Sequence, residues 1–480
     1  MAGTAIGRPA AQQAGRPPKR EPIPRPVRQA ATVVVVGAFM AQLDGALVNI
    51  GLATITADLH TTLRTAQWIV SAYLLALVMG LPLCGWATRR IGASRLWLWS
   101  LGAFTVASLL CAVAPSIEAL IVFRAVQGIA GGLLLPVGQT VIVQVAGREL
   151  IGRVMSAAGA ALVLAPALGP IAGGLLIAHI SWPWLFLVNL PVGALGLWLG
   201  LRLLPRDTPR AAADGQRFDT GGFALIGVGL PAVTWAISQA GQPDTRTFAS
   251  CYAPLAVGAL LLAVFAVRSL RAGGRPLLNL GLFRGPVFAA ASASSFCAGA
   301  VQYGALVIWA LYFQAVRGYG VIDSGLAMLA FAVGAALVPL SGRLAERFGG
   351  GPVALAGALL TVAAAVPPAL LDDRAPLAAL QVCLFVLGVA NALSVVPPST
   401  AAYVSINPAE MPDAVTVINI FLRLGGAVGS ALLVAVLGGL TGGAASFRPA
   451  FWCLAALGAV FAAAALVLTR AASPQPATRK

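Results

Sequence analysis

Asp44 and Arg124 are the residues whose chemistry sits least easily with their surroundings, because each stands inside a long apolar run. An aspartate at the centre of a membrane helix costs about 2.5–3.5 kcal/mol on insertion scales, and intramembrane charges are usually retained for a task. Burial favours the neutral carboxyl, whereas a nearby guanidinium favours the charged one. A carboxyl that gains and loses such a neighbour can therefore take up and release a proton. At 1.5 Å per residue, Asp44 lies about 20 Å along the first run and Arg124 about 9 Å along a later one, similar depths if the two run in opposite senses. A static pair that merely fixes helix packing is the alternative. Arg423 is a third charge in an apolar run and is followed by Gly425, Gly426 and Gly429. Small residues there allow close helix approach, so packing and ligand contact are equally open for it.

Gln42, Asn49, Gln127, Trp235, Gln302, Tyr303, Trp309, Gln314, Asn391 and Asn419 also interrupt apolar runs and are candidates to line a cavity for an amphipathic ligand. The plainer role for each is a bond to a neighbouring helix, or an anchor at the membrane interface for the aromatic ones. His60 and His179 are far apart, which argues against a metal site. The six cysteines lack the paired spacing of metal or disulfide frameworks and read as small packing residues. With Lys19 and Lys480 the only lysines, a phosphate-binding G-x-x-x-x-G-K-[ST] loop is excluded, and no cofactor is expected.

The elements that must position these residues are membrane helices. Of 480 residues, 59% are hydrophobic and 10% charged, which rules out a soluble domain. At about 20 residues per span, windowed hydropathy predicts fourteen spans between residues 30 and 469, an all-α integral membrane protein. If residues 1–29 form an uncleaved Pro/Arg-rich cytoplasmic tail, most of the 31 basic residues fall on the cytoplasmic side. Arg64, Arg246, Arg317, Arg374 and Arg448 fall outside, a bias that fits the positive-inside rule, puts both termini in the cytoplasm and explains the net charge of +16 without nucleic acid. The cytoplasmic loop near Glu410 and Asp413 is the acidic exception.

After the second expected span comes Gly85-Trp86-Ala87-Thr88-Arg89-Arg90-Ile91-Gly92, and after the tenth comes Gly342-Arg343-Leu344-Ala345-Glu346-Arg347-Phe348-Gly349. Both read G-x-x-x-charged-Arg-x-Gly, at the same loop of two six-span halves. Such symmetry is expected of a two-lobed transporter, which holds substrate near the midplane between its halves. The expected organisation is a tail at 1–29, a six-helix bundle at 30–204, a linker with two extra spans at 205–285, a second bundle at 286–470 and a cytoplasmic tail at 471–480. In the fifth expected span, 152–178, Ala165-Pro166, Gly169-Pro170 and Gly173-Gly174 predict a kinked, close-packed helix.

At these residues the sequence resembles the drug/proton antiporters of the major facilitator superfamily, in their 14-span branch. Leu43-Asp44 with Val48-Asn49 is similar to the first-span L-D-x-T-I-V-N signature, and residues 67–75 to that of the second span. Arg124-Ala125-Val126-Gln127-Gly128 resembles the fourth-span motif linked to proton transfer, and residues 165–174 the fifth-span motif that separates exporters from importers. Trp182-Pro183-Trp184-Leu185-Phe186 with Asn189 resembles the opening of the sixth span.

The resemblance implies a monomeric exporter in a bacterial plasma membrane that exchanges a small amphipathic or antibiotic-like compound for protons. Asp44 and Arg124 would couple the proton. Gly85, Arg89, Arg90, Gly92, Gly169, Pro170, Gly173, Gly342, Glu346, Arg347 and Arg423 would serve conformational gating. Import of a nutrient by the same fold is the alternative, and a membrane-embedded enzyme lacks the acid/base constellation catalysis needs. One departure bears on gating. The loop motif normally carries an aspartate where Arg89 stands, and in the family that acid clasps the conformational gates. Glu346 keeps an acid in the second half.

Overall fold

The computed structural model describes residues 23–207, 218–240, 247–271, 277–371, 375–437 and 447–473. Among these, helices account for all regular structure. The first half comprises α1 (Arg25–Asp58), α2 (Leu63–Gly80), α3 (Leu83–Ile91), α4 (Ala93–Ala112), α5 (Ile117–His179), α6 (Trp184–Leu187) and α7 (Asn189–Leu203). Two further helices, α8 (Thr220–Ala240) and α9 (Ala253–Arg271), follow. The second half holds α10 (Pro286–Ala315), α11 (Val321–Ala327), α12 (Leu329–Ala335), α13 (Val338–Phe348), α14 (Gly350–Leu370), α15 (Leu377–Ser394), α16 (Val396–Val404), α17 (Met411–Leu437) and α18 (Arg448–Ala472).

Twelve helical stretches are long and apolar enough to cross a membrane, thirteen if α2 and α3, bent by 55°, form one span. That is short of the expected fourteen. The reason lies in α5, whose helix is interrupted at Gly147, with φ 66° and ψ 171°. Its part before Gly147 is counted as a span, and its part after Gly147 coincides with the fifth expected span. The side chains of 160–168, 170 and 171, Pro170 among them, lie outside the described residues.

One core cluster centres on the first half and runs on into Phe288, Tyr403 and Ile418 of the second, and another lies within the second half. Trp97, Leu101, Phe104, Leu134 and Val137 centre the first, while Trp309, Tyr312, Phe313, Phe447 and Phe451 centre the second. Helix α8 joins the two halves along one side, where Ile226 and Leu230 cluster with Val78 and Leu81 of the first half and Ile420 of the second. In the second half a Cβ at Gly299 or Gly425 would strike the carbonyl of Leu422 or Phe296, so α10 and α17 meet backbone to backbone.

The two repeat copies are structurally equivalent. Each ends a short helix, α3 or α13, at a left-handed glycine, Gly92 at φ 93° and Gly349 at φ 87°, and the next helix starts at once. L side chains are disfavoured at such φ values, which explains the shared terminal glycine. Asp207 caps the start of α4 by accepting from the Ser94 and Arg95 amides at 3.1 and 2.9 Å.

Candidate functional site

Arg124 and Gln127 are three residues apart on α5 and share one helix face, turned toward α1. There Arg124 Nη1 donates to Asp44 Oδ2 at 2.6 Å and to Gln127 Oε1 at 2.6 Å. Gln127 Nε2 and Asn189 Nδ2 donate to Asp44 Oδ1 at 3.1 and 2.7 Å. Both amides also donate to Ser108 Oγ, which in turn donates to the Phe104 carbonyl. Arg124 Nε donates to the Ile69 carbonyl at 3.3 Å, and its guanidinium carbon lies 4.1 Å from the centre of the Tyr73 ring, a cation–π contact.

This network is sealed. Asp44 is 0% and Arg124 1% exposed, and Gln127, Asn189 and Ser108 are equally buried. A buried ion pair repays its desolvation only where further hydrogen bonds satisfy the remaining lone pairs and protons. Here every polar atom described against the Asp44 carboxyl is a donor, an environment made for a charged carboxylate. Removing the guanidinium would leave the buried Asp44 carboxyl facing two neutral amides.

A cavity of about 550 Å³ lies between the halves, within the size range of small-molecule sites. Gln42, Asn49, Gln302, Tyr303, Asn391 and Asn419 line it. The other four cavity candidates do not. Gln127 is spent in the Asp44 network, Trp235 stacks on Trp68 at 5.0 Å between α8 and α2, and Trp309 fills the aromatic core of the second half. Gln314 is exposed at the end of α10. Asn419 donates across the cavity to Gln139 Oε1 of the first half at 2.7 Å.

The repeat loops reach across the halves. Arg89 pairs with Asp413 at the start of α17, with 12% and 8% side-chain exposure. Glu346, in the matching place of the second copy, approaches Arg153 of the first half at 3.9 Å. Gly342 packs on Gly152 and Ser156, and Gly85 on the Asp413 carboxylate. Arg89 thus meets an acid from the acidic loop noted above, a charge pair across the halves. Of the remaining gating candidates, Arg90 and Arg347 make no described bond across the halves; Arg90 is exposed, and Arg347 lies 5.1 Å from the ring of its neighbour Phe348. Gly169 and Gly173 pack α5 on Ala46 and Ile50 of α1. Arg423 is half-buried in α17 with no hydrogen bond or ion pair among the described residues.

The family model described as Major Facilitator Superfamily matches residues 34–430. The chain belongs to this superfamily. It is 34% identical over 412 residues to the multidrug resistance protein B homolog of Mycobacterium tuberculosis (strain H37Rv), covering 85% of this chain and 75% of that one. To the methylenomycin A resistance protein of Streptomyces coelicolor it is 33% identical over 414 residues, 85% of each chain. Among solved structures, the proton:xylose symporter XylE aligns with a TM-score of 0.64 at 14% identity, covering 91% of this chain and 94% of its own. The human organic anion transporter MFSD10 aligns with a TM-score of 0.63 at 17% identity, covering 93% and 100%. These two likenesses establish the superfamily fold. The chain is therefore a multi-span membrane transporter of small molecules, with relatives in multidrug and antibiotic resistance.

Asn189, Ser108 and Tyr73 belong to the buried network, although composition and spacing did not single them out. Asn189 and Tyr73 do stand within the sixth- and second-span motifs quoted above. Ser108 carries no such signal, because a serine in an apolar helix ordinarily bonds its own backbone. It does so here as well.

Proposed function

We propose that this transporter exports a small amphipathic or antibiotic-like compound in exchange for protons across a bacterial plasma membrane, as a monomer with both termini cytoplasmic. The single observation that carries this reading is the sealed Asp44–Arg124 pair, a fully buried acid matched to a fully buried base. Rocking of the halves separates the two groups, Asp44 takes a proton from the side then open, and the return stroke restores the pair and expels the proton. The bent α2–α3 pair and the part of α5 after Gly147 serve as one span each, which makes fourteen, with domain limits as expected from the sequence. With the repeat loops cytoplasmic, contacts at Arg89–Asp413 and Arg153–Glu346 close the cytoplasmic side. One proton entering across about 100 mV releases about 2.3 kcal/mol, enough for a roughly 40-fold gradient of a neutral compound at ~1.4 kcal/mol per decade.

Inside-out vesicles acidified within test the exchange. Adding an exported compound dissipates the pH gradient in vesicles that carry the chain and leaves it intact in vesicles that lack it. Substrate movement indifferent to the gradient would instead place the chain among facilitators.

Arg89–Asp413 gives a second, separate test. Hydrogen bonds to charged groups contribute about 1.5–3 kcal/mol, so Arg89→Asp, which sets two acids together, lowers the exchange rate about tenfold or more. Arg89→Asp combined with Asp413→Arg restores the pair and most of the rate. If both variants are equally slow, the contact is not the clasp.

A further inference from the structure

The cavity between the halves carries information about the charge of its ligand. Its polar lining is made of amides and hydroxyls, chiefly Gln42, Gln139, Gln302, Asn391, Tyr403 and Asn419, set in apolar walls. No aspartate, glutamate, lysine, arginine or histidine is among the described lining residues. Residues 160–168 of α5, whose side chains are outside the described set, are all Ala, Val, Leu or Pro.

The nearest deep acid cannot serve a cation. Asp44 is wholly buried, and both its oxygens accept from Arg124, Gln127 and Asn189. Asp323 is exposed in the first turn of α11, in solvent rather than in the lining. Arg423 follows the lining residue Leu422 and stands one turn beyond Asn419, so the charge nearest the wall in sequence is a cation and not a counter-charge for one. An ion moved from water into such walls loses its hydration without gaining a counter-charge, a net cost even after relaxation.

Two lining groups await a partner. Gln302 Oε1 and the Tyr403 hydroxyl are buried with no hydrogen bond, and Tyr403 is only 1% exposed. A buried acceptor left unmade is destabilising, and a ligand that donates to it recovers that cost. We infer that the cavity takes an uncharged amphipathic compound bearing at least one hydroxyl or amide N–H, with Gln302 Oε1 as its acceptor and the Tyr403 hydroxyl beside it. This rests on the export reading above and narrows its substrate class.

The test is equilibrium binding to the purified full-length chain by calorimetry, with three probes: chloramphenicol, which is uncharged and carries hydroxyls and an amide, tetraphenylphosphonium, a permanent cation, and fusidate, a carboxylate. Chloramphenicol binds saturably and at least about tenfold more tightly than either ion, a difference of ~1.4 kcal/mol. Gln302→Leu weakens it about tenfold, and Tyr403→Phe, which keeps the ring and removes only the hydroxyl, weakens it less. Binding of either ion at least as tight, no binding of any probe, or full affinity in Gln302→Leu overturns the assignment. The export reading fails in a different way, through a compound that binds but moves no protons in vesicles. Tetraphenylphosphonium exchanged for protons would leave export standing and remove the uncharged class.

Discussion

Vesicles bearing Asp44→Asn are expected to keep their pH gradient when substrate is added, while the variant purifies and elutes as the parent does. Asn conserves the shape of the side chain, and its one carbonyl oxygen keeps either the bond from Arg124 or those from Gln127 and Asn189 while its NH2 meets a donor on the other side, so the network loses a charge and part of its bonding but no volume. What disappears is the group proposed to bind the proton. The expected loss is complete to within assay background, and substrate affinity for the cavity stays within about a factor of three, below ~1 kcal/mol, because Asp44 does not line it. Exchange at the parental rate in this variant would show that coupling resides elsewhere.

The second large effect is on stability. Arg124→Met removes the guanidinium and leaves the Asp44 carboxylate buried and uncompensated, a type of change that costs about 3–5 kcal/mol. Thermal unfolding in detergent should show a pronounced fall in midpoint. Adding Asp44→Asn to Arg124→Met removes the stranded charge and recovers most of that loss, so the double variant is more stable than Arg124→Met alone. The partners are in direct contact, and such neighbours are where additivity fails. Strictly additive losses would mean that Arg124 is held by the Ile69 carbonyl and the Tyr73 ring and owes little to Asp44.

The two halves and their charged residues were legible for physical reasons. Lipid demands long apolar helices, and a charge within one stands out against that background, so Asp44 and Arg124 could be singled out and their similar depth estimated by counting residues. Their partner amides could not be singled out in this way. Gln127 looks the same in a sequence whether it faces a cavity or a carboxylate, and only the register of α5 against α1 decides that it is spent on Asp44. Trp235 and Trp309 illustrate the same limit, since an aromatic residue in an apolar run signals burial without naming its neighbour. The Arg89–Asp413 pair was hidden for another reason. Its members are 324 positions apart, and each is anomalous alone, one a base where an acid is usual and the other in the acidic loop of an otherwise basic side. The span count fell short where α5 runs through a loop position as one helix interrupted only at Gly147, a boundary that hydropathy sees and hydrogen bonding does not.

The central claim is that Asp44 changes its protonation state during the cycle. Infrared difference spectroscopy on the reconstituted chain, with and without substrate and with Asp44→Asn as the subtraction control, observes that carboxyl directly. A protonated-carboxyl band that appears or vanishes with substrate and is missing from Asp44→Asn is the predicted result. An Asp44 that stays ionised in both conditions, while exchange continues in the same vesicles, would contradict it.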